Sequence, residues 1–279
     1  MPLDVLLVVL LAALVHALWN ALLRSATDKI QSSLLIVCGA AVLSLLLLPF
    51  IPAPDAASWP YLLASGLIHV GYYTLLALSY RNSALSIAYP VMRGTAPVIT
   101  ALSAVLVLNE FPSSGAWLGI ALICLGVLLL AGTAWGQWQT ASISFALGNA
   151  AVIAAYTLID GQGARLSGQP LSYTAWVFIL TAVFMLVYIR LKRYSIRTLL
   201  VGPPIWRTAG LGGLGTLAAY SMVLWAMTHA PIATVAALRE TSIVFAALLG
   251  VLFLHEHLNR WRWLAVALVC AGAMVIKLI

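Results

Sequence analysis

Shifted by 146 residues, the C-terminal part of the chain falls without a gap on the stretch ending near residue 133, and the positions that coincide include charges. Arg93 lands on Arg239, Glu110 on Glu256, Trp117 on Trp263, Cys124 on Cys270 and Gly126 on Gly272. Both arginines stand inside long apolar runs. A chain duplicated in this way folds as two copies of one unit, and an arginine kept among hydrocarbon side chains marks a site rather than a surface.

Composition sets the solvent of that unit. Hydrophobic residues make up 63% of the 279 and charged residues 8%, with a mean hydropathy of +1.07, far from the balance of a soluble domain. About 20 apolar residues rising 1.5 Å each cross about 30 Å of hydrocarbon. Such segments recur near 3–24, 32–51, 58–80, 84–108, 113–134, 141–162, 172–191, 205–228, 231–254 and 261–279. This predicts an all-α integral membrane protein of ten transmembrane helices, with 52–60 and 192–204 as the most loop-like connections. The connections leave no room for a soluble catalytic domain. The first segment begins with Asp4, lacks a basic leader and is long for a signal-peptide core, so it reads as a retained helix.

Charge placement orients the chain. Arg24, Lys29, Arg81, Arg190, Lys192, Arg193, Arg197, Arg207, Arg260 and Arg262 fall on one side of ten alternating passes, Arg165 and Lys277 on the other. The basic side is cytoplasmic, so both termini are expected on the periplasmic side of a bacterial inner membrane. The net charge of +7 is then topological, and nucleic-acid binding is not needed to explain it. Five passes per copy is an odd number, so the second unit (139–279) enters the membrane upside down relative to the first (1–138). In such inverted repeats solute sites form near the midplane, and Arg93 and Arg239 are expected to bracket it.

Polar residues at helical spacing outline the expected site. His16, Trp19 and Asn20 share a face of the first segment, Ser65, His69, Tyr72 and Tyr73 a face of the third, and Ser86, Tyr89, Arg93 and Thr100 a face of the fourth. Tyr156 and Tyr220 add rings from the sixth and eighth. Lipid supplies no hydrogen bonds, so these faces turn inward, to a wet cavity or to partners on neighbouring helices. Trp59, Tyr61, Trp135, Trp138, Tyr188 and Trp261 lie near segment ends and read as interfacial anchors.

Arg93 keeps its proton everywhere, and an arginine at the centre of a helix costs about 2.5–3.5 kcal/mol on insertion scales. Two partners offset that cost: Glu240, across the repeats, as a latch, or the carboxylate of a solute gripped by the guanidinium fork. Glu240 adjoins Arg239 in sequence, and adjacent residues on a helix do not face one another. Pro90 and Pro97 each remove a backbone donor around Arg93, which with Gly94 marks a hinge in the fourth segment. The ninth has Ala236 and Ile243 at those positions and is expected to lack one.

Small residues speak for close helix contacts: Gly115 and Gly119, Gly132 and Gly136 in the fifth segment, and Gly210, Gly212, Gly213 and Gly215 in the eighth. Packing within one chain accounts for them; a monomer already contains both repeats, and a dimer through the fifth and tenth segments stays open. Cys38, Cys124 and Cys270 sit in apolar runs as small hydrophobes, and their spacing gives neither a disulfide framework nor a metal site. His255-Glu256-His257 is set aside as a metal site because its acid matches Glu110, which no histidine flanks. No cofactor is expected. The chain has no phosphate loop and only three lysines, so it does not hydrolyse ATP and is driven as a secondary carrier. Glu240, Asp160 or a buried histidine are the candidates to carry a coupling proton, with uncoupled efflux the alternative.

The run Leu108-Asn109-Glu110, Trp117-Leu118-Gly119 and Cys124-Leu125-Gly126-Val127, repeated as Leu254-His255-Glu256, Trp263-Leu264 and Ala271-Gly272, resembles the drug/metabolite transporter superfamily and, within it, the EamA group of two five-helix repeats. The histidine- and ring-rich helices look most like the YddG-type exporters of aromatic amino acids. That resemblance implies export of a small solute by alternating access. The small multidrug members of the superfamily trade protons at a first-helix glutamate, and here that helix has no acid beyond Asp4. Three functions stand side by side: an amino-acid exporter, in which Arg93 meets a carboxylate among rings; a broad drug or sugar-nucleotide carrier; and a membrane-embedded lipid enzyme. The last is disfavoured, since no nucleophile and base pair and no metal-ligand spacing appears.

Overall fold

The computed structural model describes residues 1–22, 29–81, 85–132, 140–193, 206–254 and 258–278, and among these every regular element is helical. The first repeat comprises α1 (Leu3–Leu22), α2 (Lys29–Leu47), α3 (Trp59–Arg81), α4 (Leu85–Leu108) and α5 (Ser114–Gly132). The second comprises α6 (Thr140–Ser167), α7 (Pro170–Leu191), α8 (Gly213–His229), α9 (Ile232–Arg239), α10 (Ser242–Leu254) and α11 (Arg260–Leu278). The eighth pass is α8, entered through a π-helical stretch at Arg207–Gly212; α9 and α10 together make the ninth pass. Among the described residues, nine passes are long and apolar enough to span a membrane. The tenth is α3, 23 residues long, whose Ser65, His69, Tyr72, Tyr73, Thr74 and Ser79 dilute its apolar character.

Equivalent helices run in opposite directions. Past the end of α4, the Glu110 carboxylate accepts from the N–H of Ile232 at 3.0 Å, the first residue of α9, so one helix ends where its counterpart begins. At the same face the Lys277 ammonium donates to the Met1 carbonyl at 3.1 Å, placing both chain ends together. The repeats meet most closely through α5 and α11. A Cβ at Gly119 would stand 2.7 Å from the Gly272 carbonyl oxygen, and one at Gly126 would stand 2.8 Å from that of Ala265. Gly126 and Gly272, like Gly119 and Ala265, are 146 apart, so this seam is one contact made twice about a pseudo-two-fold axis. The fifth-segment glycine pattern is spent inside the chain at Gly119; Gly136 lies outside the described residues.

A second seam joins α2 to the eighth pass, where a Cβ at Gly39 would lie 1.9 Å from the Ala209 carbonyl oxygen. The π-helical turn at Gly210 and Gly212 brings that backbone inward. Two differences from the expected elements stand out. α6 continues to Ser167 rather than ending near 162. The polar run from Asp160 to Arg165 resembles a helix exit, but Gly161 and Gly163 clear space for Ile232 and the Tyr173 ring, and packing carries the helix onward. The second concerns the expected absence of a hinge in the ninth pass. That pass is broken at Glu240–Thr241, whereas α4 is continuous through Pro90 and Pro97. Around the break the backbone tightens to i+3 bonds, Glu240 N–H to Ala237 O and Thr241 N–H to Leu238 O, both 3.0 Å. The Thr241 hydroxyl also donates to Leu238 O at 2.7 Å, taking a carbonyl the continuous helix would have used.

Candidate functional site

The break sets Glu240 across from α4, and there its carboxylate meets Arg93, Oε2 to Nε 2.8 Å. Glu240 is 2% exposed and Arg93 8%. The pair is therefore a cross-repeat ion pair out of contact with bulk water. It is bound by charge more than by alignment, since Arg93 Nε, though 2.8 Å from Oε2, and Nη2 complete no hydrogen bond among the described residues. Arg239, also 8% exposed, faces no carboxylate within ion-pair distance among the described residues, and its Nε is buried without a hydrogen-bond partner. Removing one member of a buried pair costs about 3–5 kcal/mol because the other charge is stranded. By that measure Arg239 is a buried cation that shares Glu240 only at a distance and lacks a contacting carboxylate among the described residues.

Rings surround this charge. Tyr89, one turn before Arg93, holds the guanidinium over its face at 5.9 Å. His16 lies within charge range of both Arg93 and Arg239 and meets Trp19 edge to face at 5.3 Å. Trp19 packs on the bare backbone of Gly215 in α8, where a Cβ would come within 2.6 Å of its ring. From α3, His69 stacks on Tyr156 of α6 at 4.5 Å, and Tyr72 abuts Tyr156 at 5.7 Å. Tyr220 of α8 stands edge-on to His69 at 6.5 Å. Five helices, α1, α3, α4, α6 and α8, thus contribute rings around this charge, and Tyr72, Tyr89, Tyr220, His16 and Trp19 all keep partial exposure in the interior of the bundle.

Asp160 is sequestered. Fully buried, it accepts hydrogen bonds from the hydroxyls of Tyr220 at 2.5 Å and Tyr173 at 3.1 Å, so phenols rather than cations satisfy it. Ser65 is bound to His69, whose Nδ1 lies 3.2 Å from the hydroxyl and 2.9 Å from the carbonyl.

Three of the expected residues are placed elsewhere. Asn20 is exposed and donates to the His16 carbonyl of its own helix at 2.7 Å. Tyr73 touches Tyr72 at 4.9 Å but packs among Leu34, Met185, Ile189 and Ala182 between α2 and α7. Thr100 donates to Ala96 O at 2.9 Å. Gly94 serves contact, since a Cβ there would sit 2.7 Å from the Leu128 side chain of α5. The Ser86 side chain and His255-Glu256-His257 lie outside the described residues, among which no three His, Cys, Asp or Glu side chains gather.

Sequence reasoning missed Tyr173 and Asn149. Tyr173 gave no periodic signal because it reaches Asp160 from the first turn of α7. Asn149, fully buried, donates to the Met92 sulfur at 3.1 Å and leaves its carbonyl oxygen unpartnered. An amide in the middle of an apolar pass was the available signal.

At the face of Glu110 a second charged group appears. Asn109 takes φ 54°, the left-handed value that Asn tolerates, and Glu110 N–H bonds Ala104 O at 3.2 Å, closing the end of α4. That closure aims the Glu110 carboxylate at Arg165, near the end of α6, with which it forms a salt bridge. Arg165 donates in turn to the carbonyls of Met227, at 2.8 Å, and Ala230, at 3.1 Å.

Known proteins are similar to this chain in sequence and in fold. The chain is 26% identical over 221 residues, 79% of its length, to an uncharacterized transporter, YwfM, of Bacillus subtilis (strain 168), covering 74% of that protein. It is 42% identical over 71 residues, 25% of its length, to an uncharacterized transporter in the cobO 3' region of Sinorhizobium sp, spanning only half of that protein. A crystal structure of 19% identity superposes with a TM-score of 0.75 over 98% of this chain and 95% of the other, a likeness of fold. The model of the EamA-like transporter family matches twice, over residues 4–132 and 140–278. Two five-helix units, each matched along nearly its full length, make this chain a member of the EamA-like transporter family.

Proposed function

We propose that this transporter exports amino acids, aromatic or neutral, across the bacterial inner membrane by alternating access, with both termini periplasmic and the monomer as the working unit. The observation that carries the reading is the charge balance around Arg93 and Arg239: two buried guanidinium groups share one ion-paired carboxylate, Glu240, while Asp160 is taken up by the hydroxyls of Tyr220 and Tyr173. An α-carboxylate supplies the missing negative charge. It meets Arg239 and the free donors of Arg93 in the forked geometry that guanidinium favours. His69, Tyr72, Tyr89, Tyr156, Tyr220 and Trp19 give a ring-bearing side chain surfaces to stack on. Entry of the carboxylate competes with Glu240 for Arg93, and this ties solute binding to loosening of the cross-repeat pair.

A broad carrier of cationic drugs fits this site less well, because two permanent cations repel its solutes. Relatives named as transporters support transport over catalysis at the level of the family. The test is uptake of labelled amino acids into proteoliposomes, with a competition panel of aromatic, neutral and charged amino acids, cationic dyes and sugar nucleotides. Saturable uptake inhibited by aromatic amino acids supports the proposal. Transport of dyes alone, or lipid turnover without transport, overturns it.

A further inference from the structure

The charged group at Glu110 lies outside the central site. It binds four parts of the molecule at one face. Glu110 itself follows α4, Arg165 closes α6, the carbonyls of Met227 and Ala230 end α8 and its exit, and the Ile232 N–H begins α9. Next to it the connection between α2 and α3 is fastened to the end of α6, Asp55 N–H to Ser167 O at 3.1 Å. A carboxylate at the N-terminus of α9 also opposes the positive end of that helix.

The helix so capped is unusual. α9 has eight residues, all buried, and it is held at both ends by carboxylates: Glu110 at Ile232, and Glu240, just past Arg239, at Arg93. Its far end is the break in the ninth pass. A short buried rod fixed at one end to the rim of the bundle and at the other to the site's ion pair transmits movement between them.

We propose that Glu110 and Arg165 form the latch that holds this mouth of the transporter closed, and that α9 couples the latch to the Arg93–Glu240 pair. Release of Glu240 frees the lower end of α9, the Ile232 N–H draws away from Glu110, and the Arg165 fork loses the carbonyls of α8. The inference rests on the chain being a transporter and not on the amino-acid reading, so its test uses no solute.

A protein with Cys38, Cys124 and Cys270 replaced by alanine receives one cysteine at Ala233, which is 1% exposed in α9. It is placed in lipid nanodiscs, where both faces are open to a polar maleimide. A second protein has its cysteine at Ala265, 1% exposed in the α5–α11 seam, as control. Labelling at 233 is expected to be slow in the parent and to rise about tenfold in Glu110→Gln and in Arg165→Gln, while labelling at 265 stays slow. The double variant is expected to label no faster than either single one, since the two residues act as a unit. Glu240→Gln, working from the other end of α9, is expected to raise labelling at 233 as well. The paired Arg93→Met/Glu240→Met serves where Glu240→Gln does not fold.

Glu110→Asp is the second variant at the latch: it keeps the charge with a shorter reach and is expected to label at an intermediate rate. Unchanged labelling at 233 in Glu110→Gln and Arg165→Gln, or equal increases at 233 and 265, overturns the latch. Latch variants that respond while both Glu240 variants do not overturn the coupling through α9.

Discussion

α4 and the α9–α10 pair occupy the same place in the two repeats, carry Arg93 and Arg239 at the same position, and differ in the opposite sense to their prolines. α4 has Pro90 and Pro97 and is continuous; its counterpart has neither and breaks at Glu240–Thr241, where α4 has Gly94–Thr95. Proline removes a hydrogen bond but leaves the φ of a helix intact, and α4 is held along its length by α5, with Gly94 seated against Leu128. In the second repeat side chains compete for the backbone. The Thr241 hydroxyl takes the Leu238 carbonyl and Glu240 is drawn to Arg93. The packing differs too, for α10 makes little contact with α11 among the described residues while α4 lies along α5. Among the described residues the second half of the ninth pass is thus the less tightly held of the two helices.

The ion pair that links the two helices is the place to break the comparison hardest. Arg93→Ala is expected to lower solute uptake in proteoliposomes about 100-fold, the equivalent of ~3 kcal/mol for a charge-assisted hydrogen bond lost with its partner stranded. Arg93→Lys restores part of this, keeping the charge without the fork. The double variant Arg93→Met/Glu240→Met separates stability from function: it is expected to melt close to the parent, because apolar residues replace a buried pair at little cost, and still not transport. Uptake at the parental rate by Arg93→Ala would remove the residue from both roles.

That pair was readable before any coordinates. An arginine and an acid in apolar segments of different repeats have few partners to choose from, and the inverted register brings their helices together. The break beside it was not legible, because it arises from a threonine hydroxyl and a tertiary ion pair, and local propensity contains neither. The extension of α6 was hidden for the same reason: Asp160 and Arg165 look solvent-seeking until Tyr173, Tyr220 and Glu110 are seen around them. Glu110 was marked as a repeated acid, and Arg165 as one of two cations on its side of the membrane; their pairing needed only those two readings joined. Periodicity put Asn20, Tyr73 and Thr100 on the faces of the site, but it could not show that Asn20 and Thr100 hydrogen-bond their own helices and that Tyr73 packs between α2 and α7.

The symmetric seam offers a contrast with the asymmetric pair. Gly119→Val puts side-chain atoms where Ile276 and the Gly272 carbonyl already are, and is expected to cost about 1–3 kcal/mol of overpacking, read as a drop in the thermal midpoint of the purified protein. The pseudo-two-fold relation makes a sharper claim: a bulky replacement at Gly126, against Ala265, costs a similar amount. A tolerated Gly126→Val would show the seam to be less symmetric than its backbone. Smaller again is Tyr220→Phe, which withdraws one of two phenols from Asp160 and is expected to cost about 1–2 kcal/mol, checked by the same melting measurement, while Tyr173→Phe costs no more because its hydrogen bond is the longer one.

The mildest substitution asks which of the two equivalent helices does the bending. If the fourth pass flexes about its prolines during the cycle, Pro97→Ala restores a hydrogen bond to the Arg93 carbonyl, stiffens the helix and slows uptake. If movement is taken up at Glu240–Thr241, stiffening α4 changes little, because its conformation is already helical through both prolines and α5 supports it on one side. The second outcome is expected: uptake by Pro97→Ala within about twofold of the parent, since the replacement adds at most one backbone hydrogen bond worth about 1 kcal/mol to both ends of the cycle. Thr241→Ala probes the other helix by freeing the Leu238 carbonyl to rejoin the ladder, and it is expected to slow uptake more than Pro97→Ala does. Measured side by side, a larger loss for Pro97→Ala would return the hinge to the first repeat and leave the break in the second as a static accommodation of Glu240.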